Sequence, residues 1–149
     1  MKTYKLILLF SLLLSTTAFS QSILDDYLTN YDYESRKSMK ISNEQLVSLI
    51  LNDSAVLVDI RFKEERLAWA MDYALKIPLN ELPNRLSELD KSKLIITACP
   101  HKDRAIIAMM YLKSKGYKVA YLKDGLLGLA DYLRGDKARD FSDKLKTVD

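Results

Sequence analysis

The chain has 149 residues, of which 48% are hydrophobic and 29% charged, with only 4 glycines and 3 prolines. This composition fits one ordinary globular domain with enough chain to bury a core. The formal net charge of +3 falls to +1 without residues 1–20, which hold Lys2 and Lys5 and no acidic residue. A balance so near neutral excludes an electrostatic case for binding nucleic acid or an anionic membrane.

Residues 1–20 have the pattern of a secretory signal peptide. Lys2 and Lys5 precede an apolar run over 6–14, and Ala18 and Ser20 place small residues at the two positions that a signal peptidase reads. The run is far shorter than the roughly 20 residues a membrane span needs, which disfavours an uncleaved anchor. We therefore expect a mature protein that is periplasmic or secreted and has no membrane span after cleavage.

The mature chain begins with a leader, and regular patterns follow it. Residues 21–40 mix tyrosines with charged side chains without a clean period, so their order stays open. We expect the folded domain over 41–135 and a C-terminal helix or tail over 136–149. The capping box Ser42–Gln45 predicts the start of the domain's first helix.

Helices and strands are expected to alternate along the domain. The first helix ends near 52–53, and the pattern then predicts a strand over 55–60, a helix over 63–71, a strand over 74–77, a helix over 80–89, a strand over 94–98, a helix over 103–115, a strand over 118–122, and helices around 126–133 and 136–145. Such alternation predicts an α/β fold, with a central parallel β-sheet flanked by helices on both faces. Ligands bind such sheets beyond the carboxyl ends of the strands.

Cys99 is the only cysteine, and it lies where a predicted strand turns into a helix. A thiol there faces the unpaired N–H groups and positive dipole end of the helix, with His101, Lys102 and Arg104 close in sequence. These conditions favour thiolate over thiol, which predicts a cysteine nucleophile. The alternative is an inert thiol that ends a core strand. An internal disulfide is impossible, because the chain offers Cys99 no partner.

His101 is the only histidine, so no metal cluster can be built around it with Cys99, and we predict no metal site. A papain-type pair is also disfavoured, because two residues of one tight loop bring imidazole and thiol together poorly. His101 and Lys102 either attract an anionic donor or are simply exposed loop residues. Gly125 and Gly128, which punctuate the turn after the last predicted strand, are expected to serve backbone conformation.

The ordered set of motifs resembles a single-domain rhodanese over roughly residues 40–134. The resemblance rests on the segments Val58–Arg61, Ile77–Leu79, Cys99–Arg104, Lys115–Tyr117 and Tyr121–Gly128. No single motif is decisive, but their order is fairly specific.

The resemblance implies sulfurtransferase chemistry of the thiosulfate type, without a cofactor. Cys99 would take sulfane sulfur from thiosulfate or a related small anionic donor, become a persulfide, and pass the sulfur to cyanide, a thiol or a protein acceptor. Residues of the active loop would cradle the sulfur, with Arg104 closing the loop after Pro100, His101, Lys102 and Asp103. Ring-shaped arrays of backbone amides can stabilise such an anion.

Loop length separates two chemistries on this fold. Four residues lie between Cys99 and Arg104, as in sulfurtransferases, whereas related phosphatases have five. Asp59 and Arg61 are expected to support the loop rather than to react. Asp59 would cap a helix or pair with Arg104.

Three departures from the family pattern keep a second hypothesis open. Residues 69–74 lack the usual turn and its histidine, Lys102 stands where a glycine is common and would strain a left-handed backbone, and Pro100 removes one N–H from the cradle. The alternative is a non-catalytic module of the rhodanese fold, which binds a partner or carries sulfur. A thiol redox sensor would need mixed disulfides with another molecule, because no resolving cysteine is present.

Overall fold

The computed structural model describes residues 23–147, so the predicted signal peptide lies outside the described residues. The described residues contain five strands, β1 (Lys40–Ile41), β2 (Ala55–Asp59), β3 (Leu75–Lys76), β4 (Leu94–Ala98) and β5 (Val119–Leu122). They form one sheet in the order β1-β5-β4-β2-β3, and every neighbouring pair is parallel. The long central strands are almost fully buried, as their aliphatic sequences predict.

Helices cover both faces of the sheet, which confirms the predicted fold class. The helices after the leader are α3 (Asn43–Leu51), α4 (Lys63–Ala68), α5 (Asp103–Ser114), α6 (Gly125–Tyr132) and α7 (Asp136–Leu145). Side chains of β2 alternate between two buried clusters. Val58 joins the cluster that contains α5, and Leu57 joins the one that contains α3 and α6. No helix among residues 23–147 is long and apolar enough to cross a membrane.

The capping box at the start of α3 is confirmed. The Ser42 hydroxyl accepts from the Gln45 N–H, and the Gln45 side chain accepts from the Ser42 N–H at 3.0 Å. The predicted helix over 80–89 is wrong, because the segment forms two 3-10 turns, Leu82–Asn84 and Leu86–Glu88. Pro83 lacks an N–H, which removes an α-helical hydrogen bond.

Helix α4 is shorter than the predicted 63–71. It ends at Ala68 because Trp69 adopts an extended backbone with ψ 149°. The Trp69 carbonyl accepts a hydrogen bond from Arg61 at 3.1 Å instead of continuing the helix. The end of α4 therefore coincides with a contact to a side chain eight residues earlier.

The described part of the leader is helical and packs on the domain. Residues 23–29 form α1, and Tyr33–Ser38 form α2, which begins where Asp32 accepts from the Ser35 N–H at 2.8 Å. The Lys113 ammonium of α5 lies 4.0 Å from the Tyr27 ring centroid. Burial at this contact lowers the pKa of Lys113 and raises that of Tyr27.

Candidate active site

Cys99 follows the last residue of β4, at the carboxyl edge of the sheet. Ala98 is the register partner of Asp59, and the Ile60 N–H donates to the Ala98 carbonyl at 3.0 Å, so β2 and β4 end side by side. Cys99 is a free cysteine that is 1% exposed and belongs to the α5-side core cluster with Ile60 and Met109. The predicted nucleophile therefore lies at the expected edge but beneath the surface.

The first residues of the active loop are fixed by the start of α6. The Cys99 carbonyl accepts from the Leu126 N–H at 2.8 Å, and the Pro100 carbonyl accepts from the Leu127 N–H at 3.2 Å. Because N–H and C=O point in opposite directions across a trans peptide, the His101 N–H points away from α6.

Gly125 allows this close approach. Its φ is +64°, and a Cβ there would lie 2.1 Å from the His101 carbonyl oxygen and 2.4 Å from that of Pro100. The conformational role predicted for Gly125 is confirmed, and the loop carbonyls beside it also leave no room for a side chain there. The same prediction for Gly128 is wrong, because Gly128 lies inside α6 without a positive φ, and a Cβ there would instead lie 2.5 Å from the Asp124 Cβ.

The rest of the loop leads into α5, with His101, Lys102 and Asp103 exposed. Lys102 is the N-cap residue of α5, with φ −151° and ψ −25°, and its side chain makes no capping hydrogen bond. The backbone at Lys102 is thus not left-handed, and the strain considered from the sequence does not arise. The Thr97 hydroxyl ties the first turn of α5 to β4 by donating to the Ala105 carbonyl at 2.8 Å.

Arg104 pairs with Glu65 of α4, a residue that the sequence analysis did not single out. The guanidinium Nη1 and Nη2 lie 2.7 and 2.8 Å from the two carboxylate oxygens of Glu65. This bidentate pair holds the pKa of Glu65 at about 2. The hydrogen bonds to Glu65 in turn raise the pKa of Arg104 above its ordinary value.

Asp59 and Arg61 form a separate buried ion pair. Arg61 Nη2 lies 2.7 Å from Asp59 Oδ2, and the two side chains are 1% and 0% exposed. The Asp59 carboxylate also accepts from the Arg61 N–H at 3.1 Å, and the guanidinium stacks 4.0 Å from the Trp69 ring centroid. The predicted pairing of Asp59 with Arg104 is therefore wrong, because Asp59 is paired with Arg61 and Arg104 is paired with Glu65.

A weak sequence signal for Glu65 existed. It stands three residues after Phe62, and its carboxylate accepts from the Phe62 N–H at 3.0 Å at the start of α4. The spacing is that of a capping glutamate, although Phe62 supplies no capping oxygen. Its partnership with Arg104, 39 residues away, leaves no local pattern.

Known proteins resemble this chain in sequence. The profile of the Rhodanese-like domain matches residues 42–131. A sulfurtransferase from Allochromatium vinosum is 30% identical over 93 residues, covering 61% of this chain and 87% of that protein. The putative sulfurtransferase YtwF from Bacillus subtilis is 25% identical over 76 residues, covering 51% and 74% respectively.

The fold is matched in a solved structure as well. The crystal structure of a rhodanese-related protein from Thermoplasma volcanium superposes with a TM-score of 0.57 at 20% identity, covering 62% of this chain and 91% of that one. At this identity the likeness concerns the fold. The profile match spans well over half of the sequence and includes the Cys99–Arg104 loop, so the chain belongs to the rhodanese-like domain family.

Proposed function

We propose that the protein is a sulfurtransferase that moves sulfane sulfur from thiosulfate or a related donor to a thiophilic acceptor through a persulfide on Cys99. One observation carries this proposal. The only thiol of the chain follows a central strand and precedes Arg104 by a four-residue loop, beside a helix start without a side-chain cap. The loop carbonyls are bound by α6, which fixes the loop's course.

The proposed reaction has two balanced steps. The Cys99 thiolate attacks the outer sulfur of thiosulfate, an S–S bond forms to Cys99, the S–S bond of the donor breaks, and sulfite leaves with the electron pair. An acceptor such as cyanide then attacks the outer sulfur of the persulfide. Thiocyanate forms, the persulfide S–S bond breaks, and the Cys99 thiolate is restored. The N–H groups in the first turn of α5, which follows the loop and has no side-chain cap, would stabilise this anion.

Access to Cys99 needs local movement. With 1% of the residue exposed, a donor reaches the sulfur only when side chains or loop residues around it move aside. The loop residues His101 and Lys102 are exposed, so their movement would break little packing. We propose that sulfur transfer proceeds through such an opened loop.

Mass spectrometry of the intact protein tests the function. After incubation with thiosulfate, we expect wild-type chain to gain one sulfur atom on Cys99 and to lose it again on addition of cyanide. Cys99→Ser, which removes the nucleophile and keeps a similar volume, should gain nothing. A wild-type thiol that stays unmodified across several sulfane donors contradicts the proposal.

A second candidate is a non-catalytic module that binds a partner. The burial of Cys99 favours it, as does the altered wall at residues 69–74, where Trp69 stacks on Arg61. Partner binding that survives Cys99→Ser, together with no sulfur transfer by wild type, would support this module. Loss of all activity in Cys99→Ser would support the enzyme.

A further inference from the structure

Arg104 lies in the first turn of α5, at the end of the loop that Cys99 opens. Its positive charge is already paired with the negative charge of Glu65. The strand that leads to Glu65 ends beside the strand that leads to Cys99, because the Ile60 N–H donates to the Ala98 carbonyl at 3.0 Å. Both terminal nitrogens of the guanidinium are held by the Glu65 carboxylate, at 2.7 and 2.8 Å. A small anion that enters the site must therefore compete with a bidentate carboxylate for these donors.

Glu65 is held in place by more than this pair. Its Oε2 atom also accepts from the Phe62 N–H at 3.0 Å, and its backbone lies in the first turn of α4. The Phe62 ring centroid lies 5.8 Å from the Arg104 guanidinium carbon. The guanidinium thus contacts a fixed carboxylate and lies near an aromatic ring. The other arginine at this edge, Arg61, is buried and bound by Asp59.

These contacts affect which donor the site accepts. A compact dianion such as thiosulfate would meet the negative charges of Glu65 and of the Cys99 thiolate, with Arg104 already neutralised. A persulfide whose remaining groups are uncharged brings less negative charge to the same place. The 46% exposed side chain of Phe62 also offers apolar contact to the organic part of such a donor.

Building on the proposed sulfurtransferase function, we propose that Glu65 is a specificity-determining residue. By pairing with Arg104, it disfavours small dianionic donors and directs the site toward sulfur carried on a thiol as a persulfide. In that step the Cys99 thiolate attacks the outer sulfur of the donor, a new S–S bond forms to Cys99, the S–S bond of the donor breaks, and the donor leaves as a thiolate with the electron pair. Glu65 acts through Arg104 and does not touch the transferred sulfur. Glu65 makes the electrostatic potential at Cys99 more negative, and this potential can be measured without any sulfur transfer.

Alkylation of Cys99 measures this potential directly. Iodoacetate and iodoacetamide attack the same thiolate, form the same S–C bond and release iodide, but only iodoacetate is an anion. The ratio of their rate constants is independent of the fraction of thiol that is ionised. We expect this ratio to rise about fivefold in Glu65→Gln, which keeps the side-chain volume and an acceptor for the Phe62 N–H but removes the charge.

Glu64→Gln is the matched control. Glu64 is the exposed neighbour of Glu65 in the same turn of α4, and the bidentate contact to Arg104 belongs to Glu65. The alkylation ratio of this variant should equal that of wild type. Equal rises in Glu65→Gln and Glu64→Gln would indicate a general surface effect and would overturn the proposal.

Two measurements keep the proposal testable if alkylation is slow or Glu65→Gln folds poorly. Sodium sulfate should raise the Tm of Glu65→Gln more than that of wild type, compared with sodium chloride at equal ionic strength, because freed Arg104 can bind the dianion. In wild type alone, the iodoacetate-to-iodoacetamide ratio should be no higher in the folded protein than in the urea-unfolded chain. The proposal is contradicted if the iodoacetate-to-iodoacetamide ratio of wild type is higher in the folded protein than in the unfolded chain. It is also contradicted if sulfate raises the Tm of Glu65→Gln no more than that of wild type.

Sulfur loading separates this proposal from the function on which it rests. If Glu65→Gln changes the alkylation ratio but no donor loads Cys99 in either protein, the sulfurtransferase proposal fails and the electrostatic role of Glu65 stands. The other outcome has two parts: thiosulfate loads wild type as fast as it loads Glu65→Gln, and thiosulfate loads wild type faster than the persulfide of 2-mercaptoethanol does. In that case the specificity proposal fails and the sulfurtransferase proposal stands.

Discussion

Single residues around Cys99 are fixed by specific partners, both near in the chain and far from it. The loop carbonyls are bound by α6, Arg104 is bound by Glu65, and Arg61 is bound by Asp59. Each contact constrains a different part of the site, so substitutions at these positions are expected to have separable effects.

Gly125→Ala tests the contact between the loop and α6. The new Cβ would lie 2.1 Å from the His101 carbonyl oxygen, so the loop or α6 must shift. We expect a loss of about 2 kcal/mol in the free energy of unfolding beyond that of Gly135→Ala, together with a changed alkylation rate at Cys99. Gly135→Ala is the control, because Gly135 also has positive φ, +56°, but has open space around its Cβ position. Equal losses in urea denaturation would show that the close approach is unimportant.

Asp59→Asn tests the buried ion pair. The substitution leaves the guanidinium of Arg61 charged at 1% exposure without its carboxylate. Removing one partner of a buried pair costs about 3–5 kcal/mol, which urea denaturation would measure. Asp131→Asn breaks an exposed pair with Arg134 and should cost less than about 1 kcal/mol. A loss for Asp59→Asn as small as that of the control would mean that Arg61 finds water or another partner.

At the scale of elements, α4 is the helix that completes the site, because Glu65 joins it to the loop before α5. In the fold, the pKa of Glu65 is about 2, below its ordinary value of 4.5. The pair therefore contributes stability that is fully present above pH 4.5 and is lost as pH falls toward 2.

The stability difference between wild type and Glu65→Gln should follow this titration. We expect about 1 kcal/mol at pH 6, a small value because both side chains are roughly one-third exposed and screened by solvent. The difference should disappear near pH 2. Denaturant unfolding at several pH values would measure it, and a difference that grows on acidification would contradict the assigned pair.

Thr97→Val tests the attachment of α5 to β4. The variant removes the hydroxyl that donates to the Ala105 carbonyl at 2.8 Å and keeps the branched shape. A loss of about 1 kcal/mol is expected in denaturant unfolding. Ser54→Ala is the control, because the Ser54 hydroxyl donates to the Asn52 carbonyl at 3.2 Å in an exposed turn. If the two substitutions lower the free energy of unfolding equally, the Thr97 hydroxyl does not attach α5 to β4.

Sequence patterns predicted what depends on near neighbours. The capping box at Ser42, the buried strands and the position of Cys99 at the carboxyl edge all follow from local patterns and strand alternation. The patterns failed over 80–89, where Pro83 interrupts the backbone hydrogen bonds, and they could not find the Glu65–Arg104 pair. Contacts between residues far apart in the chain are set by packing, which no local period encodes.

At the scale of the whole molecule, the described leader belongs to the folded unit. Lys113 packs on Tyr27, and β1 extends the sheet through hydrogen bonds from Tyr121 to Met39 and from Lys123 to Ile41, each 2.9 Å. A chain that starts at Gln21 would keep all of these contacts.

Export of the protein is a further prediction at this scale. We propose that residues 1–20 direct the chain to the periplasm or the medium and are removed there. The intact mass of protein recovered from that compartment should correspond to a chain that begins at Gln21. A full-length chain recovered from the membrane fraction would instead support the uncleaved anchor.

The lengths of the outermost strands bear on how the protein behaves among its neighbours. β1 and β3 lie at the two borders of the sheet, and each has only two residues. Long, unpaired borders are templates on which other chains add strands and aggregate. Here the five-residue strands lie inside, where both of their sides are already paired. Each border strand also carries a lysine, Lys40 in β1 and Lys76 in β3, so short length and positive charge together limit intermolecular growth of the β-sheet.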